Sequence, residues 1–586
     1  MNSPSRSHIA GQHMLGGLFR NRGNDLQVAD DLLRGSLRLD NHPVTQINIK
    51  DPDWLSDPFK DNNWQFSFHS LRWVDVLRRT YESTKDSKYL DAYITVAKSW
   101  HRNHIESPQG KMSRFAWYDM GAGLRVLILA GVMFTVGDED WLRDCIHEHG
   151  IRMSPESFGH QVGNHIIHIH NGLMTAGHIM QNSSWKDMAT YRLKKLLVEN
   201  VNLEGVADDG AIQYQINNYN WYKEALDHAK AAGIEHGDDF DRVMLMPDFL
   251  VHCYQTNRSL IQFGDSDRTA LPKFNTPEIS YIHSKGDLGE EPKELYKCYS
   301  EAGYAFGRTN WNVDDMSKTM HYSLRFGPPQ SAHTHAHEDG GSITVNFAGT
   351  ELHPEGGRFR YDTQPMSVYF KSQNTHSTLL IEGERFDPDA PTRLVKSEST
   401  VESEITIVNR VEKRGSTWSR SLFHDRTQRI LTVTDYVTPF EETNVMQLWQ
   451  LPQGAIVRIV ENKALIFLRG RHLATLTTGS TGSIYYEVVE GRRSKEHIEG
   501  WRSVKYGECF AAPVLKIGSR VSAGLMSTVI SPQFADLNDP FVSVVADPSR
   551  SQLMVTTARD GDVSSMRYWS SEDSLFSSSL RNGAVR

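Results

Sequence analysis

The sequence predicts an α+β protein with more than one domain: helical hairpins stacked into a bundle or toroid, then an antiparallel β region. Three observations carry this. At 586 residues the chain exceeds what one hydrophobic core ordinarily serves. Apolar residues recur at steps of three and four through the first half, then alternate beyond about residue 300. Helical and strand-like segments also fall into separate blocks, which marks an α domain followed by a β domain.

In the first half, Leu71, Val74, Leu77 and Tyr81 predict an amphipathic helix over 68–81. Further helices are expected at 89–100, 121–137, 164–180, 185–201, 222–232 and 242–254. Beyond the charged segment Ser284–Lys297, strands are expected at 320–326, 342–348, 378–381, 429–435, 464–468 and 553–557, between Gly, Pro and Asp turns. The Ser-rich end after Asp560 is expected to be frayed. These patterns set the domains at 1–290 and 291–586.

Composition narrows the function. Hydrophobic residues at 39% and charged residues at 23% fit an ordinary soluble globular protein. The net charge of −9 argues against a nucleic-acid binder, though it leaves room for a local basic cleft holding an acidic ligand. The four cysteines, Cys145, Cys253, Cys298 and Cys509, show no CxxC spacing, which fits free thiols in a reducing compartment. No secretory signal pattern opens the sequence and no apolar stretch is long enough to span a bilayer. A cytoplasmic enzyme is therefore expected, or a periplasmic or secreted one if the N-terminus has been trimmed.

The most informative stretch is Ser331-Ala-His-Thr-His-Ala-His-Glu-Asp339, followed by Gly340-Gly341 and the alternating Ile343-Thr-Val-Asn-Phe347. On a strand, His333, His335, His337 and Asp339 share one face at intervals of about 6–7 Å. Three imidazoles and a carboxylate point to a metal site, an acid/base site, or both side by side. A second cluster, Asn164-His-Ile-Ile-His168, places two histidines on one helical face with Asn164 at the helix entrance. The ordinary alternative is histidines that cap or pack. A third, Asp208 to Tyr222, reads as a loop entering a helix, in which Tyr214 and Tyr222 have the marks of structural residues.

Together these blocks resemble the heparinase II/III-type polysaccharide lyases, with the related alginate and other uronate lyases. Asn164-His165-Ile-Ile and Ala176-Gly177 match that family's Asn-His helix. Asp209-Gly210 aligns with its tyrosine loop and puts the catalytic tyrosine on Tyr219. His335, His337 and Asp339 match its His-x-His-x-Asp, and Asn374-Thr-His376-Ser-Thr378 its later histidine element. Trp117-Tyr-Asp-Met-Gly-Ala-Gly-Leu-Arg125 is similar to its Trp-x-Asp helix. Two departures stand out: the family's Glu and Ser in the tyrosine loop are Tyr214 and Ile216, and its Asp-x-Gly-x-Tyr has become Glu355-Gly-Gly-Arg-Phe359, leaving Tyr361 as a displaced second tyrosine.

The resemblance implies an N-terminal (α/α) toroid followed by a C-terminal antiparallel β-sandwich, acting in a cleft between domains. It implies β-elimination on an acidic, uronate-containing polysaccharide or oligosaccharide. Removing the C5 proton requires the neighbouring carboxylate to be neutralised, a role for Asn164 with a histidine or Arg72. His165 is the candidate base, Tyr219 the acid, or both functions if the eliminated groups share a face, and His335 completes the site. Trp117, Arg125, His168 and Tyr361 are the further substrate-binding candidates. His337, His376 and Glu355 would hold a divalent metal, a structural zinc, with Asp339 as fourth ligand or supporting partner. No organic cofactor is expected, and His333 is expected at the surface.

Three rival functions share these residues. A glycoside hydrolase on the same toroid would use two carboxylates from Asp208, Asp209 and Asp119. A cupin-like metal oxygenase would bind iron through His335, His337 and His376. A non-catalytic polysaccharide-binding protein would keep the fold alone. Oligomeric state leaves no signature in the sequence.

Overall fold

Helices Ser87–His101, Asp119–Val136, His165–Ile179 and Ser183–Asn200 form where the apolar spacing predicts them, and a further helix, Asp140–Met153, forms where it predicts none. The computed structural model describes residues 23–39, 42–106, 111–159, 165–231, 234, 237–494, 497–571 and 574–581. Asn164 lies outside the described residues. The chain divides into two compact units, Met1–Val201 with Asn217–Met244, and Asn202–Ile216 with Leu245–Arg586. Position 290 falls within the second unit, between helix Pro277–Ser284 and strand Tyr296–Tyr299.

The first unit is helical and carries the toroid part of the fold. Its tightest crossing joins Asp119–Val136 to His165–Ile179: a Cβ on Gly123 would lie 2.0 Å from the His168 carbonyl oxygen, so only glycine fits there. The turn at Gln181 then returns the chain as Ser183–Asn200, a helical hairpin. The single helix expected over 68–81 is instead two, Asn62–His69 and Asp75–Thr84. Leu71 breaks it, with φ at 58°, and the Asp61 carboxylate caps the first of the pair through the amides of Asn63 and Trp64.

The second unit is an antiparallel β-sandwich. Five strands from Tyr296–Tyr299 to Thr350–His353 form a meander. An eight-stranded sheet centres on Gly524–Pro532, Ile430–Thr438 and Thr417–Asp425, and a four-stranded sheet on Val514–Val521 and Thr443–Gln450. Tyr322, Val345, Leu422, Val433, Val445 and Ile517 bury one core shared by these three sheets. The Ser-rich end is not frayed as expected: Asp562–Ser571 and Ser574–Arg581 complete a sheet whose Leu553, Val555 and Tyr568 pack against Phe423 and Leu525. No described helix is long and apolar enough to cross a membrane. The four cysteines are free thiols.

Candidate active site

In the first unit, His165 opens its helix with a side chain 36% exposed, and its Nδ1 lies 3.3 Å from the buried Asp119 carboxylate. Asp119 itself begins helix Asp119–Val136, so two helix starts fix the pair. One turn on, His168 is buried edge-on against Trp221. Burial first, then the charges of Arg72 and His165, pushes its pKa down to about 3, so it is neutral and does not face solvent as a substrate ligand would. Arg72 leans on Phe66 and stays within electrostatic reach of His168. Tyr219 lies on helix Ile212–Ala231, 7% exposed, with its hydroxyl pKa raised by burial and then by Asp227.

Arg125 is corrected by the structure. Arg125 is fully buried, with its Cζ 3.8 Å from the Trp100 ring centre, and it donates to the carbonyls of His69 and Ala116 and to His149 Nε2. Burial lowers its pKa to about 9. Trp117 packs against Trp100 and His149 and under Arg152. Arg125 belongs to the interior of the helical unit rather than to a substrate surface, whereas Trp117 is half-buried.

In the second unit, the stretch from 331 to 339 is not the expected strand. It is a loop that follows a single helical turn at Gln330–Ala332, and the strand begins only at Ile343, after Gly340-Gly341. Its histidines are arranged by partners instead. Asp265 takes His335 Nδ1 on one carboxylate oxygen at 3.0 Å and His337 Nε2 on the other at 3.1 Å, with Lys371 at 3.3 Å. Burial opposes the charge on Asp265, but these hydrogen bonds and cations hold its pKa well below the carboxylate range. A Cβ on Gly264 would lie 2.3 Å from the Gly210 oxygen and 2.7 Å from the His335 oxygen, so Asp209-Gly210, Gly264-Asp265 and the histidine loop pack backbone to backbone. His333 is not at the surface: its side chain is 5% exposed and bonded to Asp208 at 2.6 Å.

Beside this, Tyr214 stacks on His335 with ring centres 3.6 Å apart, and its hydroxyl lies 3.4 Å from that of the exposed Tyr361. The rings of His337 and His376 are 5.5 Å apart. Glu355 spends one oxygen on the Ser342 hydroxyl and the other on His376 Nδ1 at 2.5 Å, so it orients His376 rather than facing outward as a ligand. His337 Nδ1, His376 Nε2 and Asp339 Oδ2 are buried without a hydrogen-bond partner. Among the described residues no three His, Cys, Asp or Glu side chains already form a metal cage. Sequence reasoning missed Asp265 and gave Asp119 only a rival role. The Gly264-Asp-Ser-Asp267 turn was the available signal for the first.

Residues 25–279 match the heparinase II/III N-terminus, and residues 295–518 match the heparinase II/III-like C-terminal domain. The chain belongs to the heparinase II/III family of polysaccharide lyases. Enzymes of this kind are carbon–oxygen lyases that open uronate-containing polysaccharides by β-elimination, and this chain is one of them. A heparin-sulfate lyase of Bacteroides stercoris is 20% identical over 512 residues, 78% of this chain and 73% of that protein. One from Pedobacter heparinus is 23% identical over 57% of this chain, which spans 54% of that relative. Among solved structures, a heparan sulfate lyase of Pedobacter heparinus superposes with a TM-score of 0.74 at 18% identity, covering 97% of this chain and 91% of that one. A Streptomyces coelicolor chondroitin AC lyase bound to chondroitin sulphate gives 0.53 at 11% identity, with 96% and 90% covered. These likenesses agree with the toroid-plus-sandwich fold.

Proposed function

We propose that this family member cleaves a glycosaminoglycan of the heparan sulfate type, leaving an unsaturated uronate end. The observation that carries the reading is the pair of exposed-edge histidines, each held by a buried carboxylate: His165 by Asp119, His335 by Asp265. Such a partner fixes ring orientation and tautomer, as acid/base work demands. Asn164 with Arg72 neutralises the uronate carboxylate. His165 takes the C5 proton and Tyr219 protonates the leaving oxygen, or Tyr219 does both on one face. His335, held by Asp265, is the acid/base candidate of the second unit. Arg72, Arg358 and Lys371 beside these groups suit a polyanion despite the net negative chain. Heparan sulfate is favoured over other uronates because the relatives named above are heparin-sulfate lyases and the Pedobacter heparinus structure is that of a heparan sulfate lyase.

We further propose a structural divalent metal, with zinc suited to the donors. His337 Nδ1, His376 Nε2 and Asp339 Oδ2 are the atoms left without partners, which supports them as ligands, with Glu355 and Asp265 orienting the two imidazoles. When bound, the metal would brace the loop that presents His335. The test of the reaction is a panel of heparan sulfate, chondroitin sulfate and alginate. Ultraviolet absorbance of the unsaturated product is expected with heparan sulfate, and Tyr219→Phe is expected to lower it by at least about a hundredfold. Reducing ends released without that absorbance would overturn the lyase chemistry in favour of hydrolysis.

A further inference from the structure

Tyr214 stands where the family motif carries a carboxylate, and its surroundings give its hydroxyl a direction. Asp267 grips Arg358 through two hydrogen bonds, Nε at 2.9 Å and Nη2 at 3.0 Å, and also accepts the Tyr506 amide. The remaining Arg358 nitrogen, Nη1, lies 2.8 Å from the Tyr361 hydroxyl oxygen. A guanidinium can only donate, so Tyr361 must accept there, and its own proton is left to point elsewhere. The group within reach is the Tyr214 oxygen at 3.4 Å. With that oxygen accepting from Tyr361, the Tyr214 proton is turned away from the pair. The ring is meanwhile pinned flat on His335, 14° from parallel, and His335 is pinned by Asp265.

We propose that Tyr214 donates its hydroxyl hydrogen bond to an oxygen of the bound sugar, a ring hydroxyl or the bridging oxygen, and that Tyr361 and Arg358 are positioning residues that aim it. This rests on the lyase reading above and adds a specificity-determining donor to it. The chain Asp267–Arg358–Tyr361–Tyr214 runs from a carboxylate to a neutral donor with every intermediate proton assigned, so the last proton has one direction open. Burial raises the pKa of both phenols, which keeps both protonated at neutral pH. A tyrosine serving only as a platform for His335 would need the ring and not this chain of donors.

The closing experiment uses the intact protein and heparan sulfate. Tyr214→Phe keeps the stack on His335 and removes only the hydroxyl; kcat/KM is expected to fall at least about tenfold with unchanged thermal stability. Tyr361→Phe is expected to give a smaller loss, and the Tyr214→Phe/Tyr361→Phe double variant no more loss than Tyr214→Phe alone, since Tyr361 acts through Tyr214. Wild-type kinetics in Tyr214→Phe, or additive losses, overturn the proposal while leaving the lyase reading intact. Absence of unsaturated product with wild-type protein overturns the lyase reading instead. The directed pair is then read without turnover, by fluorine NMR titration of fluorotyrosine-labelled protein with the Tyr214 resonance identified from Tyr214→Phe. Tyr214 is expected to ionise at higher pH once Tyr361→Phe removes the donor to its oxygen, and an unmoved titration overturns the pair.

Discussion

Two histidine-bearing segments, the helix His165–Ile179 and the loop from 331 to 339, sort their side chains by opposite rules. In the helix, regular hydrogen bonding fixes the backbone first, and depth decides the role: His165 at the first turn is partly exposed and His168 one turn later is buried. The loop has no ladder to fix it. Its backbone amides go to scattered carbonyls, His335 N to Asp209 and Glu338 N to Lys371, and its shape is held by side-chain partners, above all Asp265. A helix tolerates the loss of one partner because its backbone remains, whereas a loop organised by one carboxylate does not. The helical site is therefore expected to be robust and the loop site fragile.

The largest expected effect follows from that contrast. Asp265→Asn leaves one acceptor where two histidines and Lys371 need a charged pair of oxygens. It is expected to lower kcat at least about a hundredfold and to destabilise the protein by about 2–3 kcal/mol, since bonds to a buried charge are lost. Asp119→Asn loosens one partly exposed histidine on an intact helix, so about a tenfold fall in kcat with less than about 1 kcal/mol of stability is expected. Steady-state kinetics with urea unfolding of both variants measures the difference. Equal losses in the two would show that the loop is held by its backbone after all.

Within the loop, neighbours two residues apart are expected to separate. His335→Ala removes an exposed-edge group and is expected to abolish most activity while metal content stays at the wild-type level. His337→Ala empties a buried position whose Nδ1 has no protein partner, and is expected to lose bound metal and about 2–4 kcal/mol of stability. Elemental analysis of the purified variants decides the matter. If both retain or both lose metal, His335 and His337 do not divide the roles.

How much of this was legible in the sequence depended on the range of the interaction. Helices set by local apolar spacing came out within a few residues: 121–137 was expected and Asp119–Val136 is found, and 185–201 corresponds to Ser183–Asn200. The order of an α half and a β half was legible for the same reason. Asp265 was not, because it meets His335 across 70 residues, and no periodicity reports such a contact. The strand expected for the histidine loop failed because alternating polar residues satisfy the period without supplying cross-strand partners. Arg125 was misread although the signal was present: an arginine alone in the apolar run Gly121–Val136 lies on a helix buried all round, where its donors must find carbonyls.

The smallest effect tests the helical side of the comparison through pH. His168 has a folded pKa of about 3 against 6.5 for a free imidazole, with burial the main cause. Between those values the unfolded chain binds a proton that the folded chain refuses. The contribution of His168 to stability is therefore fully present above pH 6.5 and is lost as pH drops from 6.5 towards 3. One such group contributes a slope of at most about 1.4 kcal/mol per pH unit. His69, His170 and His252, each also pushed down to about 3 by burial, add to the wild-type slope, so the isolating measurement is a difference. Urea unfolding at about pH 7 and about pH 5 is expected to show His168→Leu losing less stability on acidification than the wild type, by about 1–2 kcal/mol. Parallel acid profiles would mean that His168 takes up its proton while the helix is still folded, and that depth within the helix does not hold it neutral.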